Sequence, residues 1–302
     1  MVAADQSITR GLDMSDTRDR DHRSILLFGA EGQRKIRKTS VVVAGDGGLG
    51  SALVQHLALL GVAKITEIEP EELDETNRNR FVGAREDDPV PGTPKVAISD
   101  RLVREIDSSV TNVPLQVGLI SAKAFAAIES ADWVFGCFDD DGPRAVLNEL
   151  TAAYEKPYID LASDVPEPGI YGGRVCVSIN GDGCLDCLAL LDRRDVRRYL
   201  LSADQRDAED AVYGITKAAL EHKGPSVSPL NGVIAGLAAM EFMVAVTGLR
   251  KPTRLQEYRG HQSKVVVVAN SPRAHCPRCK GTWGTGAAGD VERYLQIPHL
   301  QR

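Results

Sequence analysis

The sequence predicts an α/β fold: a doubly wound, mostly parallel, Rossmann-like sheet with antiparallel strands in its second half and a Cys₄ zinc clasp. Three observations predict it. The apolar run Val41-Val42-Val43 leads into Gly45-Asp46-Gly47-Gly48-Leu49-Gly50, the G-x-G-x-x-G spacing that joins a strand to a helix over a phosphate. Strand and helix patterns then alternate along the first half of the chain, as a parallel sheet with crossover helices requires. Two C-x-x-C pairs, Cys184 with Cys187 and Cys276 with Cys279, supply four thiolates at the spacing of a closed tetrahedral zinc site.

Residues 1–19 are polar and mixed in charge and are expected to form a flexible arm. Residues 20–302 are expected to form one domain that includes the C-terminal cysteine knuckle. Ser24–Phe28 and a helical run from Glu31 to Lys38 precede the first strand, Ser40–Ala44. The glycine loop opens a helix over Ser51–Leu60 that Gly61 stops, and Lys64–Glu69 is the second strand. This is a βαβ unit with a right-handed crossover. Asp74–Pro94 is a long loop, Lys95–Ile106 a helix, Trp133–Phe138 a buried strand, and Pro143–Tyr154 a helix with proline in its first turn. Tyr158–Leu161 is another strand. From Gly169 the pattern changes: Tyr171–Ile179 reads as a strand ending in the Asn180-Gly181-Asp182-Gly183 turn, which suggests antiparallel pairing. Asp192–Asp210 is helical in composition, and Val265–Val268 is a late strand before the second cysteine pair.

The chain has 302 residues, 43% hydrophobic and 26% charged, with a net charge of −6. That is the composition of a soluble globular protein, and the acidic balance gives no reason to expect nucleic acid as a partner. The first residues lack the basic and apolar regions of a signal peptide. Gly232–Leu249 is apolar enough to suggest a membrane span, but Glu241 lies within it and it is short; a buried core helix is the favoured reading, with no membrane partner. Six cysteines, four of them in C-x-x-C pairs, read as metal ligands in a reducing compartment, which places the protein in the cytoplasm.

Gly45, Gly47 and Gly50 meet the loop spacing, and Glu69, near the end of the next strand, is placed to accept hydrogen bonds from ribose hydroxyls. The loop alone does not separate NAD from ATP. The following segment presents Asn77, Asn79 and Arg80, with Lys95 soon after, and the strand at 133–138 ends in Asp139-Asp140-Asp141. Ligands in open parallel sheets bind beyond the carboxyl ends of strands. Cations there suit a triphosphate, and a carboxylate facing polyphosphate makes sense as a magnesium ligand. Each charge taken singly reads as a solvated loop residue; their joint placement favours ATP and Mg²⁺.

These residues together resemble the ThiF/MoeB/HesA family, the bacterial relatives of ubiquitin-activating enzymes. The resemblance runs from about Arg20 to Tyr294 and rests on Arg20-Asp-His-Arg23, Gln33, the Gly45–Gly50 loop, Glu69-Pro70-Glu71, Asn77-Arg78-Asn79-Arg80, Gly92-Thr93-Pro94-Lys95, Asp139-Asp140 with Arg144, and both cysteine pairs. It implies an ATP-dependent adenylyltransferase whose single adenylation domain activates the C-terminal carboxylate of a small ubiquitin-like or sulfur-carrier protein with a Gly-Gly-type tail. By the same resemblance Gly48 lies against the nucleotide and Glu69 holds the ribose. Asn77, Arg80 and Lys95 bind phosphates, with Asn79 beside them. Asp139, next to Asp140, holds Mg²⁺, Arg23 reaches the ATP of the other subunit of a homodimer, and Cys184, Cys187, Cys276 and Cys279 bind a structural zinc.

The sequence departs from the family pattern at Glu69 and Glu71, where aspartates are usual, at Phe81, where glutamine is common, and at Asp140, often asparagine. Members that form a thioester carry its cysteine before the buried helix; Tyr213–Asn231 has none. Cys137 and Cys176 lie in apolar strands, where cysteine is usually inert. Adenylation without a thioester is therefore expected. The competing readings are an NAD-dependent Rossmann oxidoreductase and a non-catalytic scaffold of the same fold. For the cysteines they are a redox pair or no metal.

Overall fold

The computed structural model describes residues 18–207 and 225–301. The predicted arm at 1–19 lies almost wholly outside the described residues, as do the end of the charged segment at 208–210 and residues 213–224 of the cysteine-free stretch. Eight strands form one sheet in the order β3-β2-β1-β4-β5-β6-β7-β8. They are β1 (Ser40–Ala44), β2 (Lys64–Ile68), β3 (Thr111–Leu115), β4 (Trp133–Gly136), β5 (Tyr158–Glu167), β6 (Ile170–Ser178), β7 (Leu255–Arg259) and β8 (Lys264–Val267). The first five pair in parallel and the last three add in antiparallel fashion. The helices are α1 (His22–Ile36), α2 (Gly48–Leu60), α3 (Lys95–Ile106), α4 (Ala122–Ser130), α5 (Asp141–Ala153), α6 (Arg193–Leu200) and α7 (Ser228–Thr247).

Period-two alternation in the strands sorts the core into two layers. Val41, Val43, Ile65, Phe135, Ile159 and Val175 face α2 and α7 on one side. Val42, Ala44, Ile68, Val134, Tyr158 and Cys176 face α4, α5 and the C-terminal segment on the other. Strand order reverses at β1, with β2 on one flank and β4 on the other. A crevice at their carboxyl ends follows, the position where such sheets bind ligands.

Several expected elements shift. The first helix begins at His22 rather than Glu31 and bends at Gly29, whose φ of 76° and ψ of 164° only glycine adopts readily. The β5–β6 hairpin turns at Pro168-Gly169, not at Asn180–Gly183; the latter turn closes a lone Ile179–Asp182 bridge ahead of the first cysteine pair. Strands β3 and β7 and helix α4 were not expected from the sequence.

Helix α7 is long and apolar enough to cross a membrane by length and composition, yet here it packs on β5, β6, α1 and α2. Glu241 is buried within it and accepts both Arg250 guanidinium nitrogens at 2.8 and 2.6 Å, the Thr253 amide at 2.7 Å, and the Gln256 side-chain amide. Removing the arginine leaves a buried carboxylate with neutral donors alone. Arg250→Ala is therefore expected to cost about 3 kcal/mol, read as a lower urea midpoint with unchanged slope.

Candidate nucleotide and metal sites

The carboxyl ends of β1, β2 and β4 bring the predicted residues together. Gly45 leaves β1 with φ of 89° and lies against the backbone of Cys137, 3.0 Å from where its Cβ would stand. Any larger residue would wedge β1 from β4. A Cβ on Gly50 would fall on the Gly45 carbonyl oxygen, so the loop closes only with glycine there. Gly47 differs: nothing lies within 4 Å of its missing side chain. It is the N-cap of α2 with no side-chain cap bond, so the first amides of α2 face an open cradle suited to an anion.

Glu69 is buried, and both its carboxylate oxygens accept backbone amides: Oε2 from Asp46 at 3.0 Å and Oε1 from Glu71 at 2.9 Å. Burial raises its pKa while the neighbouring Lys95 lowers it. The longer side chain is thus pinned to the glycine loop at the ribose position. Lys95 opens α3, is buried, and places Nζ 2.6 Å from Oε2 of the more exposed Glu71.

The long loop is ordered by its own bonds. Arg101 forks onto Asp88 at 2.6 and 2.8 Å, and Arg78 donates to the carbonyls of Arg85 and Asp88. Phe81, a departure from the family pattern, packs with Leu73 and Ile98 in a small core beneath the loop. Asn77 is buried, and its Oδ1 accepts the Asp74 amide at 3.3 Å in a reciprocal capping box. Asn79 is exposed and its Oδ1 accepts from Arg80 Nη1 at 3.3 Å. Arg80 itself lies over Gly48, its Cγ and Cδ 3.2 Å from that residue's would-be Cβ.

Asp139 and Asp140 form the turn from β4 into α5. Asp140 holds the N-cap position without a cap bond, so neither carboxylate is spent on backbone. The pKa of Asp140 is raised, first by burial, then by the charges of Asp139, Asp195 and Asp141. The acids of this turn thus lie near enough to repel one another, although among the described residues only the four cysteines of the two pairs bring three or more ligand atoms together. Arg144 holds this turn from below, donating Nε to the Phe138 carbonyl at 3.1 Å, Nη1 to Asp160 Oδ2 at 2.7 Å and Nη2 to the Leu161 carbonyl at 2.9 Å. Asp195, on α6, was missed because its arginine-rich surroundings read as a solvated helix.

Two buried carboxyls also escaped the sequence reading. Asp46 Oδ2 accepts from Ser99 Oγ at 2.6 Å, while its Oδ1 and both oxygens of Glu67 have no hydrogen-bond partner among the described residues. Burial pushes Asp46 up to about 8, with Glu69 raising it further and Ser99 and Lys95 opposing; Glu67, shielded on β2, is raised as well. The sign follows: the folded state holds a proton that the unfolded chain has released, so stability falls as pH climbs from the ordinary carboxylate range to about 8. Asp46→Asn should remove that slope. The expected gain at pH 8.5 is on the order of 2–5 kcal/mol, seen as a higher melting temperature at that pH but not at pH 4.

Arg23 is not brought to this site. It follows Asp21, which pairs with Arg37 at 2.6 Å shortly before β1 begins, towards the amino ends of the strands and away from the crevice.

The four cysteines of the two pairs converge, with ligand sulfurs all within 4.8 Å of one another. Cys184 and Cys276 Sγ lie 3.9 Å apart, Cys187 and Cys279 Sγ 3.4 Å. A tetrahedron with metal–sulfur bonds of about 2.3 Å has sulfur edges of about 3.8 Å, so the donor set and spacing fit a tetrahedral metal. The lobe rests on α5: Leu185 N–H donates to Asn148 Oδ1 at 3.1 Å, Gly284 N–H to the Ala152 carbonyl at 3.1 Å, and Tyr294 Oη to Glu149 Oε2 at 2.8 Å. Cys137 and Cys176 are buried, and burial pushes both thiols well up.

A glycine cradle, a pinned acid, a buried lysine and an acidic turn thus lie towards the carboxyl ends of β1, β2 and β4 in this α/β sheet. The ThiF family profile matches residues 21–280, and the chain belongs to that family. It is 29% identical over 275 residues to the sulfur carrier protein adenylyltransferase of Thermus thermophilus, covering 86% of this chain and 90% of that one. It is 28% identical over 232 residues to the maize adenylyltransferase and sulfurtransferase MOCS3-1, covering 76% of this chain but 44% of the relative. The chain thus spans less than half the length of that two-activity protein. Among solved structures, Escherichia coli MccB with MccA-N7isoASN superposes at a TM-score of 0.69 and 19% identity, over 89% of this chain and 77% of MccB. That likeness is one of fold.

Proposed function

We propose that the protein is an ATP-dependent adenylyltransferase activating the C-terminal carboxylate of a small ubiquitin-like or sulfur-carrier protein with a Gly-Gly-type tail. The observation that carries this is the convergence of the open Gly47 cradle, Arg80, Lys95 and Asp139 at the β1/β4 crevice. A carboxylate is already a nucleophile at neutral pH, so no general base is needed. Its approach to a polyanion is the barrier, and positioned cations lower it. In this reading Glu69 orients the ribose, Arg80 and Lys95 hold phosphates, and Asp139 with Asp140 would hold Mg²⁺, which would supply charge neutralisation at the triphosphate. Structures of MccB, a neighbour in fold, have been solved with ATP and with N-formylated MccA.

The buried, poorly ionised Cys137 and Cys176 favour release of the acyl adenylate to an external nucleophile over a thioester on this chain. A second copy would cover α1 and α7, which leave Leu26 (64%), Leu27 (61%), Val233 and Met240 exposed; that contact would offer Arg23 to the partner's ATP. The cysteine lobe would hold zinc as a structural ion, since four thiolates leave no open position. ATP–pyrophosphate exchange with and without small proteins ending in Gly-Gly tests the reading. Exchange that depends on such a partner supports it; binding of NAD without ATP defeats it.

A further inference from the structure

Three elements meet at Gly48: the start of α2, Arg80, and the first turn of α7. A Cβ built on Gly48 would collide with Asn231 Nδ2. Asn231 is 1% exposed and lies where α7 enters the otherwise apolar layer against α2. Burying an amide there is unfavourable unless its polar atoms are used. Nδ2 donates to Ser226 Oγ at 3.1 Å. A primary amide has two N–H donors, and among the described residues the second has no acceptor. The amide therefore sits beside the uncapped amides of α2 and beside Arg80, on the loop that faces the open cradle.

We propose that Asn231 is a further catalytic residue of this site, its side-chain amide donating to the phosphoryl oxygen seated over Gly48. The inference rests on the adenylation reading. In that reaction a carboxylate oxygen bonds to the α-phosphorus, the bond from phosphorus to the bridging oxygen breaks, and pyrophosphate leaves with the electron pair. Asn231 transfers no proton; it stabilises charge on the phosphoryl group, and Ser226 fixes the amide plane.

The test is titration of Mg·ATP into the full-length protein and its Asn231→Ala and Asn231→Asp variants, with melting curves and pyrophosphate exchange alongside. Asn231→Ala should weaken Mg·ATP binding by the folded fraction about tenfold, the worth of one hydrogen bond to a charged acceptor, on top of whatever lowering of the melting temperature the lost Ser226 bond brings. Asn231→Asp, equal in size but anionic, should weaken it about a hundredfold. Parental affinity in both variants overturns the proposal. So does a loss of stability accompanied by parental affinity in the folded fraction, which marks a packing role. A parent protein that binds Mg·ATP but exchanges no pyrophosphate defeats the adenylation reading, and the two affinities then still judge the Asn231 contact.

Discussion

Lys95→Ala is expected to lower ATP–pyrophosphate exchange by about 10²–10³-fold, the range for losing one preorganised electrostatic contact to a reacting group. The side chain is buried at the start of α3, where Nζ meets Glu71 and lies near Asp46 and Glu69. Glu71 and Glu69 flank the cation before substrate arrives, with Asp46, protonated up to about pH 8, the third acid beside it. A triphosphate entering the cradle would replace Glu71, the most exposed of the three, as its partner. Glu71→Gln is the matching control: it should leave exchange within about threefold, because it removes a competitor for Lys95 rather than a contact to substrate. Undiminished exchange in Lys95→Ala would show that the cation serves only to neutralise the buried acids.

Stripping the metal from the cysteine lobe is expected to lower the melting temperature by roughly 10 °C, with Cys279→Ser close behind. Structural zinc contributes its binding free energy directly to folding, and here the lobe has little else of its own. Its interior consists of the cysteines themselves, with the knuckle tied to α5 by a few hydrogen bonds. Purified protein should carry one zinc per chain by elemental analysis. Quantitative chelation that leaves the melting curve unmoved would refute a structural metal.

The legible parts of the fold were those whose signal is local. Val41–Ala44 is buried on both faces and reads as a continuous apolar run. The helix at Lys95–Ile106 keeps an apolar face at helical spacing and ends as expected. β3 escaped because it is an edge strand of mixed exposure containing Pro114, which breaks the period and is tolerated only at an edge. β7, with Gln256 and Glu257, is equally weak in pattern: Gln256 is buried because it answers Glu241, a partner distant in sequence. The same division holds at the site. Gly45–Gly50, Glu69 and Lys95 follow motif spacing. Asp46, Glu67 and Asn231 are set apart by burial that only packing creates, and the side chain of Asn77, expected at phosphate, also caps a turn.

Helix α5 carries the acidic turn at its first residues and the cysteine lobe along its flank, through Asn148, Glu149 and Ala152. The lobe and the acidic turn proposed to hold Mg²⁺ are thus built on one helix, although the lobe contains none of the proposed reacting groups. Loosening the lobe is therefore expected to raise the magnesium concentration needed for pyrophosphate exchange, because the turn that would hold the ion stands on the same helix.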